Sequence, residues 1–330
     1  MPFDFITIGD PTIDTLIAIH DAEIRCELKQ KENCVMCIEY GEKLPVDGIE
    51  QKTAGNAMNV AIGGARLGLK TAFYGIVGAD MRGEVIRRAL KKDGVKLKYL
   101  VTDKKNNTNA STVISFQGER TILVYHAPRD YRLPRLPKTR WVYYTSVGKN
   151  HGQLNNDVIK YVQKIGAKLA YNPGTYQMLA GSASVKKVAA LCEIMFVNKQ
   201  ETERIFGDGA GIMQLLHKLH QGGVRIAVIT DGVNGSYASD GQQAWHMPMY
   251  PYPAKERTGA GDSYATGFVA ARAYGVDVPT AMKWGSANSA SVVLMVGPQD
   301  GLLTKKAIEA WIYNPKCRNI GPKLLKPSRR

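Results

Sequence analysis

Long apolar runs are absent from this 330-residue sequence, which has no uninterrupted stretch of about 18 apolar residues, the length that a transmembrane helix needs. The first ten residues, MPFDFITIGD, contain no basic segment, and Asp4 interrupts their apolar run. A secretory signal peptide combines a basic start with an apolar core. We therefore expect neither a membrane span nor a signal peptide, and we expect a cytoplasmic protein.

Cysteine is also scarce, because the whole chain contains only five, an odd number. So few cysteines in a long chain favour reduced thiols over a disulfide framework. Cys34 and Cys37 form a single C-x-x-C motif, with Cys26 nearby. A structural zinc site normally needs four ligands, and no second pair with suitable spacing follows. We expect ordinary thiols at these positions rather than a zinc site.

Acidic residues are few compared with basic ones, since 29 Asp and Glu stand against 44 Lys and Arg, a formal charge of +15. The excess is spread along the chain and is not gathered in one arm, so nucleic-acid binding is the minority interpretation. A positive field also attracts small polyanions such as nucleotides. The most basic segment, residues 316–330, contains no acid and is predicted to be a mobile C-terminal tail.

The hydrophobic pattern changes along the chain. In the first half, residues of about 57–67 and the segment MRGEVIRRALKKDGV, ended by Gly94, are predicted helices. Residues 26–40 alternate loosely, as in a β-ribbon, and residues 111–126 are predicted to form a β-hairpin. In the second half, short apolar strands such as RWVYYTSVG and VRIAVITDG alternate with helical segments, which indicates βαβ units. We predict one α/β domain, residues 1–315, with a mainly parallel sheet and helices on both faces. The two ribbons, within segments of about 15–50 and 108–128, are predicted to form a small lid.

The segment KERTGAGDSYATGF, residues 255–268, joins a glycine-rich turn to a carboxylate and a helix of small residues. A helix N-terminus has unpaired N–H groups and a partial positive charge, and glycines let a ligand approach it closely. Gly259, Ala260 and Gly261 are therefore suited to hold a phosphate or a developing oxyanion. Asp262, beside such a hole, fits a general base that takes a proton from an alcohol. A capped helix in an ordinary turn is the alternative.

This segment resembles the second signature of the ribokinase, or PfkB, family of carbohydrate and nucleoside kinases. GNAMNVAIGGARLG resembles the first signature, and FVNKQETERIFG, VITDGVNGSY and ANSASVV follow in the order of that family. The resemblance covers about residues 5–312 and implies a ribokinase-like three-layer α/β/α fold with a β-ribbon lid. It implies transfer of the γ-phosphate of MgATP to a primary hydroxyl of a sugar. A nucleoside kinase with the same mechanism is the alternative, and a non-catalytic nucleotide or nucleic-acid binding protein is the remote one.

The resemblance also assigns residues to the phosphate donor. It implies that Asp262 is the catalytic base and that Gly259–Gly261 form the anion hole. It places Asn198 and Glu201 where the family organises Mg²⁺ and its waters around the ATP phosphates, although a surface turn that begins a helix is their alternative. The other nucleotide-binding residues implied by the resemblance are Thr230, Asp231, Gly232, Gly235 and Asn288.

On the acceptor side, the resemblance implies that Asp14 accepts hydrogen bonds from two hydroxyls of the sugar, as an ionised carboxylate does well. Gly55, Asn56 and Asn59 resemble the element that holds the same sugar, although Thr53-Ala54-Gly55 departs from its usual double glycine and an ordinary helix residue is the alternative for Asn59. Arg129 is expected to reach the site from beside the lid hairpin. A nucleoside presents the same ribose hydroxyls, so these residues do not distinguish it from a sugar. The distinction depends on lid residues facing the acceptor, and the candidates are Val35, Ile38, Phe116 and Tyr125.

A second departure from the family pattern concerns a monovalent cation. Relatives often have Asp-x-Thr before Gly-Ala-Gly-Asp, where the aspartate helps to bind a monovalent cation, whereas this chain has Glu256, Arg257 and Thr258. A longer acid beside an arginine changes that environment, so the resemblance leaves a requirement for K⁺ open. Related kinases often pair through their lids, which makes a homodimer through the lid the assembly that the resemblance implies.

Overall fold

The computed structural model describes residues 2–27, 30–117, 119–207 and 211–326. The strands are β1 (Phe3–Ile8), β2 (Thr12–Ala18), β3 (Glu23–Glu27), β4 (Gln30–Cys37), β5 (Gly48–Ala54), β6 (Thr71–Gly78), β7 (Lys96–Asp103), β8 (Ala110–Phe116), β9 (Glu119–Tyr125), β10 (Thr139–Tyr144), β11 (Lys168–Tyr171), β12 (Cys192–Asn198), β13 (Ile226–Thr230), β14 (Ser236–Ser239), β15 (Ala244–Met247) and β16 (Lys323–Leu324). The helices are α1 (Asn56–Arg66), α2 (Met81–Lys92), α3 (Gly152–Ile165), α4 (Thr175–Leu179), α5 (Ser182–Ala189), α6 (Lys199–Phe206), α7 (Ile212–Gln221), α8 (Ala260–Ala273), α9 (Val278–Val292) and α10 (Lys305–Tyr313). No helix in the described ranges is both long enough and apolar enough to cross a bilayer.

Ten of these strands form the central sheet, in the order β16-β15-β14-β13-β12-β11-β10-β1-β6-β7. The strands from β13 to β7 pair in parallel, and β14, β15 and β16 extend the sheet in antiparallel fashion. Parallel strands of this kind are apolar along their length because helices cover both faces. The predicted α/β class with a mainly parallel sheet is confirmed.

Neighbouring side chains of one strand point to different helix layers, as the period of two requires. On β1, Phe5 belongs to the core cluster that includes residues of α1, α8 and α9, whereas Ile6 belongs to the cluster that includes residues of α3, α5 and α7. Tyr143 and Tyr144 of β10 divide between the two layers in the same way. The sheet therefore lies between two helix layers, which confirms the predicted three-layer α/β/α arrangement.

A smaller sheet has the strand order β5-β2-β8-β9. The lid was predicted to combine residues 26–40 with residues 111–126, but β3 and β4 pair only with each other among the described strands. The β8–β9 hairpin pairs instead with β2, and β2 pairs with β5. This arrangement follows from connectivity, because β2 continues closely from β1 and β5 leads directly into α1.

The expectation of reduced thiols is wrong for two of the five cysteines. Cys26 and Cys34 are joined by a disulfide, whose Cα atoms are 4.1 Å apart. They occupy directly opposed positions on β3 and β4, a proximity that depends on strand register and is not visible in the C-x-x-C spacing. Cys37, Cys192 and Cys317 are free thiols.

The C-terminal segment is also better packed than a mobile tail. Cys317 is fully buried, and β16 pairs with β15 at the edge of the central sheet. Leu325 packs against one of the two main core clusters and Ile320 against the other. The prediction of a mobile tail considered the charge of this segment and not its apolar side chains. Residues 327–330, the end of the predicted tail, lie outside the described residues.

Candidate active site

Polar side chains collect where the parallel strands end. Asp10 and Ser146 follow β1 and β10, Asn172 follows β11, and Asn198 and Thr230 end β12 and β13. In an open parallel sheet the carboxyl ends of the strands meet at one edge, where ligands commonly bind. Here these five residues line one wall of a cavity of about 430 Å³, the first cavity.

The small sheet forms the opposite wall of the first cavity. Asp14 on β2 lies directly opposite Ser111 on β8, and Ser111 lies opposite Val124 on β9. Side chains at directly opposed positions share one face of a sheet. That face contributes Thr12, Asp14, Ser111, Arg120, Ile122 and Val124 to the first cavity.

The glycine-rich turn lies at the N-terminus of α8. Gly259 is the N-cap with a φ of 77°, and a Cβ atom there would lie 2.5 Å from Cβ of Pro298. Both the left-handed backbone and the close contact require glycine. The first-turn N–H groups of α8, which include those of Gly261 and Asp262, are among the donors that a helix leaves without an internal partner.

Asp262 is buried, with 8% of its surface exposed, and it lines the first cavity. Its Oδ2 accepts a hydrogen bond of 2.8 Å from Nδ2 of Asn59 on α1. Burial raises the pKa of Asp262 to about 6, the Asn59 hydrogen bond opposes this shift, and the charges of Glu201 and Asp14 add to it. A carboxylate with this pKa is mainly ionised at neutral pH and still a good proton acceptor.

A chain of hydrogen bonds holds Asn59 in place. Its Oδ1 accepts from Nε2 of Gln299 at 2.8 Å, and Oε1 of Gln299 accepts from the Thr53 hydroxyl at 2.8 Å. The backbone of Gln299 is fixed in turn, because its carbonyl accepts from the Arg66 guanidinium at 2.6 Å. Sequence reasoning missed Gln299, since no local motif links it to a partner 240 positions away.

The predicted acceptor residues Asp14, Gly55, Asn56 and Asn59 all line the first cavity. Asp14 is buried, its Oδ1 has no hydrogen-bond partner within the described ranges, and burial raises its pKa to about 6. Gly55 caps α1 with a φ of 105°, and a Cβ atom there would lie 2.5 Å from the carbonyl oxygen of Asp10. The structure therefore brings these four residues together with Asp262.

Arg129, the fifth predicted acceptor residue, does not border this cavity. Its guanidinium donates to Oδ2 of Asp103 at 2.6 Å and to the carbonyl of Asn107 at 2.6 Å. Arg129 is buried, and these two acceptors offset part of the cost of removing the cation from water, while its Nε has no partner within the described ranges. The expected acceptor contact finds no support here, because Asp103 competes for this side chain.

A second cavity of about 390 Å³ adjoins the first, and four residues border both: Thr230, Arg257, Ala260 and Gly261. Most of its exposed wall is apolar. The wall includes Val233, Met249, Tyr250, Tyr252, Ala290 and Val293. An apolar cleft with a few polar groups at one end is typical of a site for a ring-containing ligand.

The predicted nucleotide residues fall into two groups. Thr230, Gly232 and Gly235 line the second cavity, whereas Asp231 and Asn288 line neither. Asp231 accepts from Nδ2 of Asn234. Asn288 is fully buried, donates to the Ser263 carbonyl and accepts from the Leu303 N–H, so it links two helices to the following turn. The nucleotide contact expected from Asn288 therefore finds no support.

Asn198 and Glu201 form a reciprocal cap at the start of α6. Oδ1 of Asn198 accepts from the Glu201 N–H at 2.7 Å, and Oε2 of Glu201 accepts from the Asn198 N–H at 2.9 Å. This is the helix-starting turn that was the alternative interpretation, yet both residues also line the first cavity. Burial raises the pKa of Glu201, and the hydrogen bond from Asn198 opposes that shift. The cap fixes a carboxylate and an amide beside the cavity.

Several cavity residues were not predicted, among them Asp10, Arg120, Ile122, Val124 and His126. The register of the strands could have identified the β9 residues among them. In that register Phe116 and Tyr125 lie on the face of the small sheet opposite to Asp14 and Ser111. A shift of one residue moves every side chain to the other face. None of the four lid residues named above lines the first cavity.

Comparisons with known proteins agree with this geometry. The sequence model of the "pfkB family carbohydrate kinase" matches residues 14–305. A nucleoside kinase of Methanothermobacter thermautotrophicus is 26% identical over 274 residues, 79% of this chain and 86% of that protein. A 5-dehydro-2-deoxygluconokinase of Geobacillus kaustophilus is 27% identical over 334 residues, 94% of each.

Solved structures show the same fold. Arabidopsis thaliana ribokinase, complexed with ribose and ATP, superposes with a TM-score of 0.78 at 20% identity, covering 95% of this chain and 99% of that one. A Burkholderia thailandensis nucleoside kinase in complex with inosine gives a TM-score of 0.73 at 16% identity, covering 93% and 97%. The family match spans most of the sequence and includes the glycine-rich turn, Asp262 and most of the residues that line the two cavities. The chain therefore belongs to the pfkB family of carbohydrate kinases and is a kinase of the carbohydrate and nucleoside class.

Proposed function

We propose that this protein transfers the γ-phosphoryl group of MgATP to a primary hydroxyl of a sugar. The observation that carries the proposal is the position of the glycine-rich turn, because Ala260 and Gly261 border both cavities and Asp262 borders the first. ATP in the second cavity would direct its phosphates towards the turn. An acceptor in the first cavity would then present its hydroxyl between the turn and Asp262.

In this mechanism Asp262 takes the proton of the attacking hydroxyl. The N–H groups at the start of α8 stabilise the charge that develops on the phosphoryl oxygens, and Thr230 and Arg257 border the same place. Bringing the two substrates together in line supplies much of the remaining rate enhancement. The small sheet, as a lid over the acceptor, would keep water from the phosphoryl group.

The donor set beside the cavity fits Mg²⁺ carried by the nucleotide. Mg²⁺ prefers oxygen ligands and keeps several of its waters, so a carboxylate and an amide near the phosphates are sufficient. Asn198 and Glu201 are fixed by their reciprocal cap and border the first cavity. They would hold the hydrated ion, which neutralises phosphate charge when bound.

A nucleoside is the second candidate acceptor, and one observation favours it. Ile122 and Val124 turn apolar side chains of β9 towards the first cavity, opposite the polar strand ends. An apolar wall of this kind gives a nucleobase a surface to lie against, whereas a simple sugar presents hydroxyls on most sides. The same Asp262 chemistry would serve both acceptors.

A coupled assay of ADP release tests the proposed function. The acceptors are ribose, fructose, ketodeoxy sugar acids, adenosine, inosine, guanosine and cytidine, each with and without K⁺. We expect ADP to appear only when a suitable acceptor is present. ADP release independent of every acceptor, or its absence throughout, would argue against the proposal.

The residues around Glu256, where this chain differs from the family pattern, form a candidate site for a monovalent cation. Its Oε2 accepts from the Gly297 N–H at 2.6 Å, while its Oε1 and the Thr258 hydroxyl are buried without a partner in the described structure. Nη1 of Arg257 lies 3.6 Å from Oε1 of Glu119, so Arg257 pairs with Glu119 and not with Glu256. These unpaired oxygens support retention of a K⁺ site, which the two arms of the assay compare.

The outer face of the small sheet supports a homodimer. Ile49, Leu123 and Tyr125 are exposed there, on the side away from the first cavity. Exposed apolar side chains grouped on one face are typical of an interaction surface. We expect sedimentation equilibrium to show a particle of twice the mass of one chain. Leu123→Lys should reduce it to the mass of one chain.

Gln299 is expected to position the base through Asn59. Without its Nε2, the Asn59 amide loses the contact that orients it, and its hydrogen bond to Asp262 weakens. That hydrogen bond lowers the pKa of Asp262, so Gln299→Ala should shift the acid limb of the rate profile to higher pH. We expect about a tenfold lower kcat, the equivalent of one hydrogen bond, with an unchanged KM for ATP.

The control is Gln242→Ala, which removes an exposed glutamine on the β14–β15 turn. A loss of activity in Gln299→Ala without any shift of the pH profile would mean that the residue serves only to stabilise the fold.

A further inference from the structure

Arg257 lies where the two cavities meet. Of the four residues that border both cavities, which are Thr230, Arg257, Ala260 and Gly261, Arg257 is the one with a charged side chain. It is also the single charged residue among the described residues that line the second cavity. The second cavity therefore receives its charged side chain at its junction with the first cavity.

The charges around this junction need a cation when a triphosphate is present. Mg²⁺ and the N–H groups at the start of α8 offset part of the negative charge of ATP. The first cavity adds to that negative charge, because four carboxylates line it: Asp10, Asp14, Glu201 and Asp262. A guanidinium group supplies a permanent positive charge and several N–H donors in a fork that matches phosphate oxygens. Arg257 is thus suited by charge, shape and position to the terminal phosphate.

A second arginine faces the same space from the small sheet. Arg120 on β9 lines the first cavity but not the second. Partial removal from water lowers the pKa of Arg120, the charge of Glu256 opposes this shift, and the charge of Arg257 adds to it. Two guanidinium groups that repel each other are stabilised when an anion lies between them. The pair of arginines therefore favours an anionic group beside the glycine-rich turn.

The partner of Arg257 within the protein is weakly held. Nη1 of Arg257 lies 3.6 Å from Oε1 of Glu119 at the start of β9, which is longer than a normal hydrogen bond. The two side chains are 59% and 79% exposed, and exposed ion pairs contribute little to stability. Within the described ranges the guanidinium has no other hydrogen-bond or ion-pair partner. It can therefore exchange Glu119 for a phosphate at small cost.

We propose that Arg257 leaves Glu119, binds the γ-phosphoryl group of the donor and remains bound to it during transfer. The inference rests on the proposed function and adds a catalytic side chain to it. The bond from the γ-phosphorus to the bridging oxygen breaks, and its electron pair leaves with ADP. The acceptor oxygen bonds to phosphorus, and Asp262 takes the hydroxyl proton. Arg257 neither gains nor loses a proton, so it acts by stabilising the charge on the phosphoryl oxygens.

A latch between the small sheet and the glycine-rich turn is the alternative role of Arg257. Glu119 belongs to the β8–β9 hairpin and Arg257 precedes the turn, so their ion pair joins the two. If the ion pair served only as a latch, removal of either partner would have the same effect. If Glu119 only occupies the guanidinium until a phosphate arrives, removal of Glu119 would not weaken nucleotide binding.

The experiment compares Arg257→Ala, Arg257→Lys and Glu119→Gln with the wild-type protein. The matched control is Arg88→Ala, which removes an arginine from an exposed ion pair with Glu84 on α2. The side chain of Arg88 is 74% exposed, and Arg88 lines neither cavity. Arg88→Ala should therefore match the wild-type protein in every measurement.

Titration calorimetry in the presence of Mg²⁺ measures the affinity for ADP and for the β,γ-methylene analogue of ATP, which cannot be turned over. We expect Arg257→Ala to raise the Kd of the analogue about 10- to 100-fold, as when hydrogen bonds to a charged group are lost, and to leave the Kd of ADP unchanged. Arg257→Lys keeps the charge without the fork of donors and should give an intermediate Kd. Glu119→Gln should leave the Kd of the analogue unchanged or lower it by up to about fivefold.

Steady-state kinetics with an acceptor of the wild-type protein measure the effect on transfer. Arg257→Ala should lower kcat about 100- to 1,000-fold, because the contact strengthens as charge develops on the phosphoryl oxygens. Guanidinium chloride at millimolar concentration should restore part of the kcat of Arg257→Ala and none of the kcat of Asp262→Asn. A side chain that only supported the fold would not respond to the added cation in this selective way.

The outcomes separate the two proposals. Equal losses in Arg257→Ala and Glu119→Gln would identify a latch, and a wild-type Kd for the analogue or a wild-type kcat in Arg257→Ala would also overturn the role of Arg257; each leaves the kinase reaction intact. An analogue Kd that depends on Arg257, in a protein that releases ADP with no acceptor, would overturn the proposed reaction and keep the phosphate contact. Arg257→Lys keeps a long cationic side chain, so a failure of Arg257→Ala to fold does not decide the result.

Discussion

Asp262→Asn is expected to lower kcat by about 100- to 10,000-fold, the usual contribution of a general base. The substitution keeps the size of the side chain, and Asn59 can still donate its hydrogen bond to the new amide oxygen. The binding surface of the second cavity is untouched, so the KM for ATP should stay near the wild-type value. Steady-state kinetics and nucleotide titration on the same preparation make this comparison.

The control for charge removal is Asp130→Asn, which should behave as the wild-type protein because its side chain is 82% exposed. A kcat for Asp262→Asn within a few-fold of the wild-type value would exclude Asp262 as the base. A parallel loss of ATP affinity would instead indicate that Asp262 serves mainly to hold the nucleotide or its metal ion.

The pKa of Asp262 gives the same residue a second, independent signature. A base with a pKa of about 6 should make kcat/KM rise with pH and reach half of its plateau near pH 6. The effect on the free energy of unfolding has the opposite direction, because ionisation of Asp262 destabilises the fold. Because the pKa of Asp262 in the folded protein lies above the ordinary aspartate value of 3.8, folding disfavours the ionised form, and this penalty is absent at low pH and complete above about pH 6.

Asp262→Asn removes that penalty and should therefore stabilise the fold at pH 8. Two pKa units correspond to at most about 3 kcal/mol in the free energy of unfolding. At pH 3.5, where the carboxyl of Asp262 is mainly protonated in both states, the two proteins should unfold alike. Urea unfolding at both pH values makes the measurement, and an equal or lower stability of Asp262→Asn at pH 8 would contradict it.

The parts of the site that could be predicted from sequence are those carried by contiguous residues. Gly259, Ala260, Gly261 and Asp262 lie at the N-cap and in the first turn of α8, so one short segment carries the turn, and the resemblance to the PfkB family distinguished it from an ordinary capped helix. The alternation of apolar strands and helices likewise fixed the three-layer fold, since it follows from which side chains must be buried. Chemistry that fits within one helical turn is visible in a single line of sequence.

The residues that sequence reasoning missed, and those that make other contacts than expected, depend on distant partners. Gln299 reaches Asn59 across 240 positions, and no pattern in either segment indicates this contact. Arg129 and Asn288 have suitable chemistry for a ligand, but in the structure both side chains make hydrogen bonds within the protein. On β9 the error was one of register, because Val124 faces the cavity and its neighbour Tyr125 faces away.

Gly261→Ala is expected to separate catalysis from folding at the glycine-rich turn. A Cβ atom on Gly261 meets no protein atom within 4 Å, and the residue borders both cavities. Its backbone is helical, so alanine should fold normally and should stabilise the helix by up to about 1 kcal/mol. The added methyl group would occupy the space where a phosphoryl group must approach the backbone. We expect kcat/KM to fall about 100-fold or more, as when one oxyanion donor is lost.

Gly259→Ala provides the contrast, because that position has a φ of 77° and a Cβ atom would lie 2.5 Å from Cβ of Pro298. This variant should lose about 1–3 kcal/mol of stability from backbone strain, visible as a lower thermal midpoint. Gly261→Ala should show the reverse pattern, with an unchanged or higher midpoint and a low kcat/KM. Wild-type kinetics in Gly261→Ala would mean that the phosphoryl group does not approach this amide, and the anion hole would have to be sought elsewhere in the two cavities.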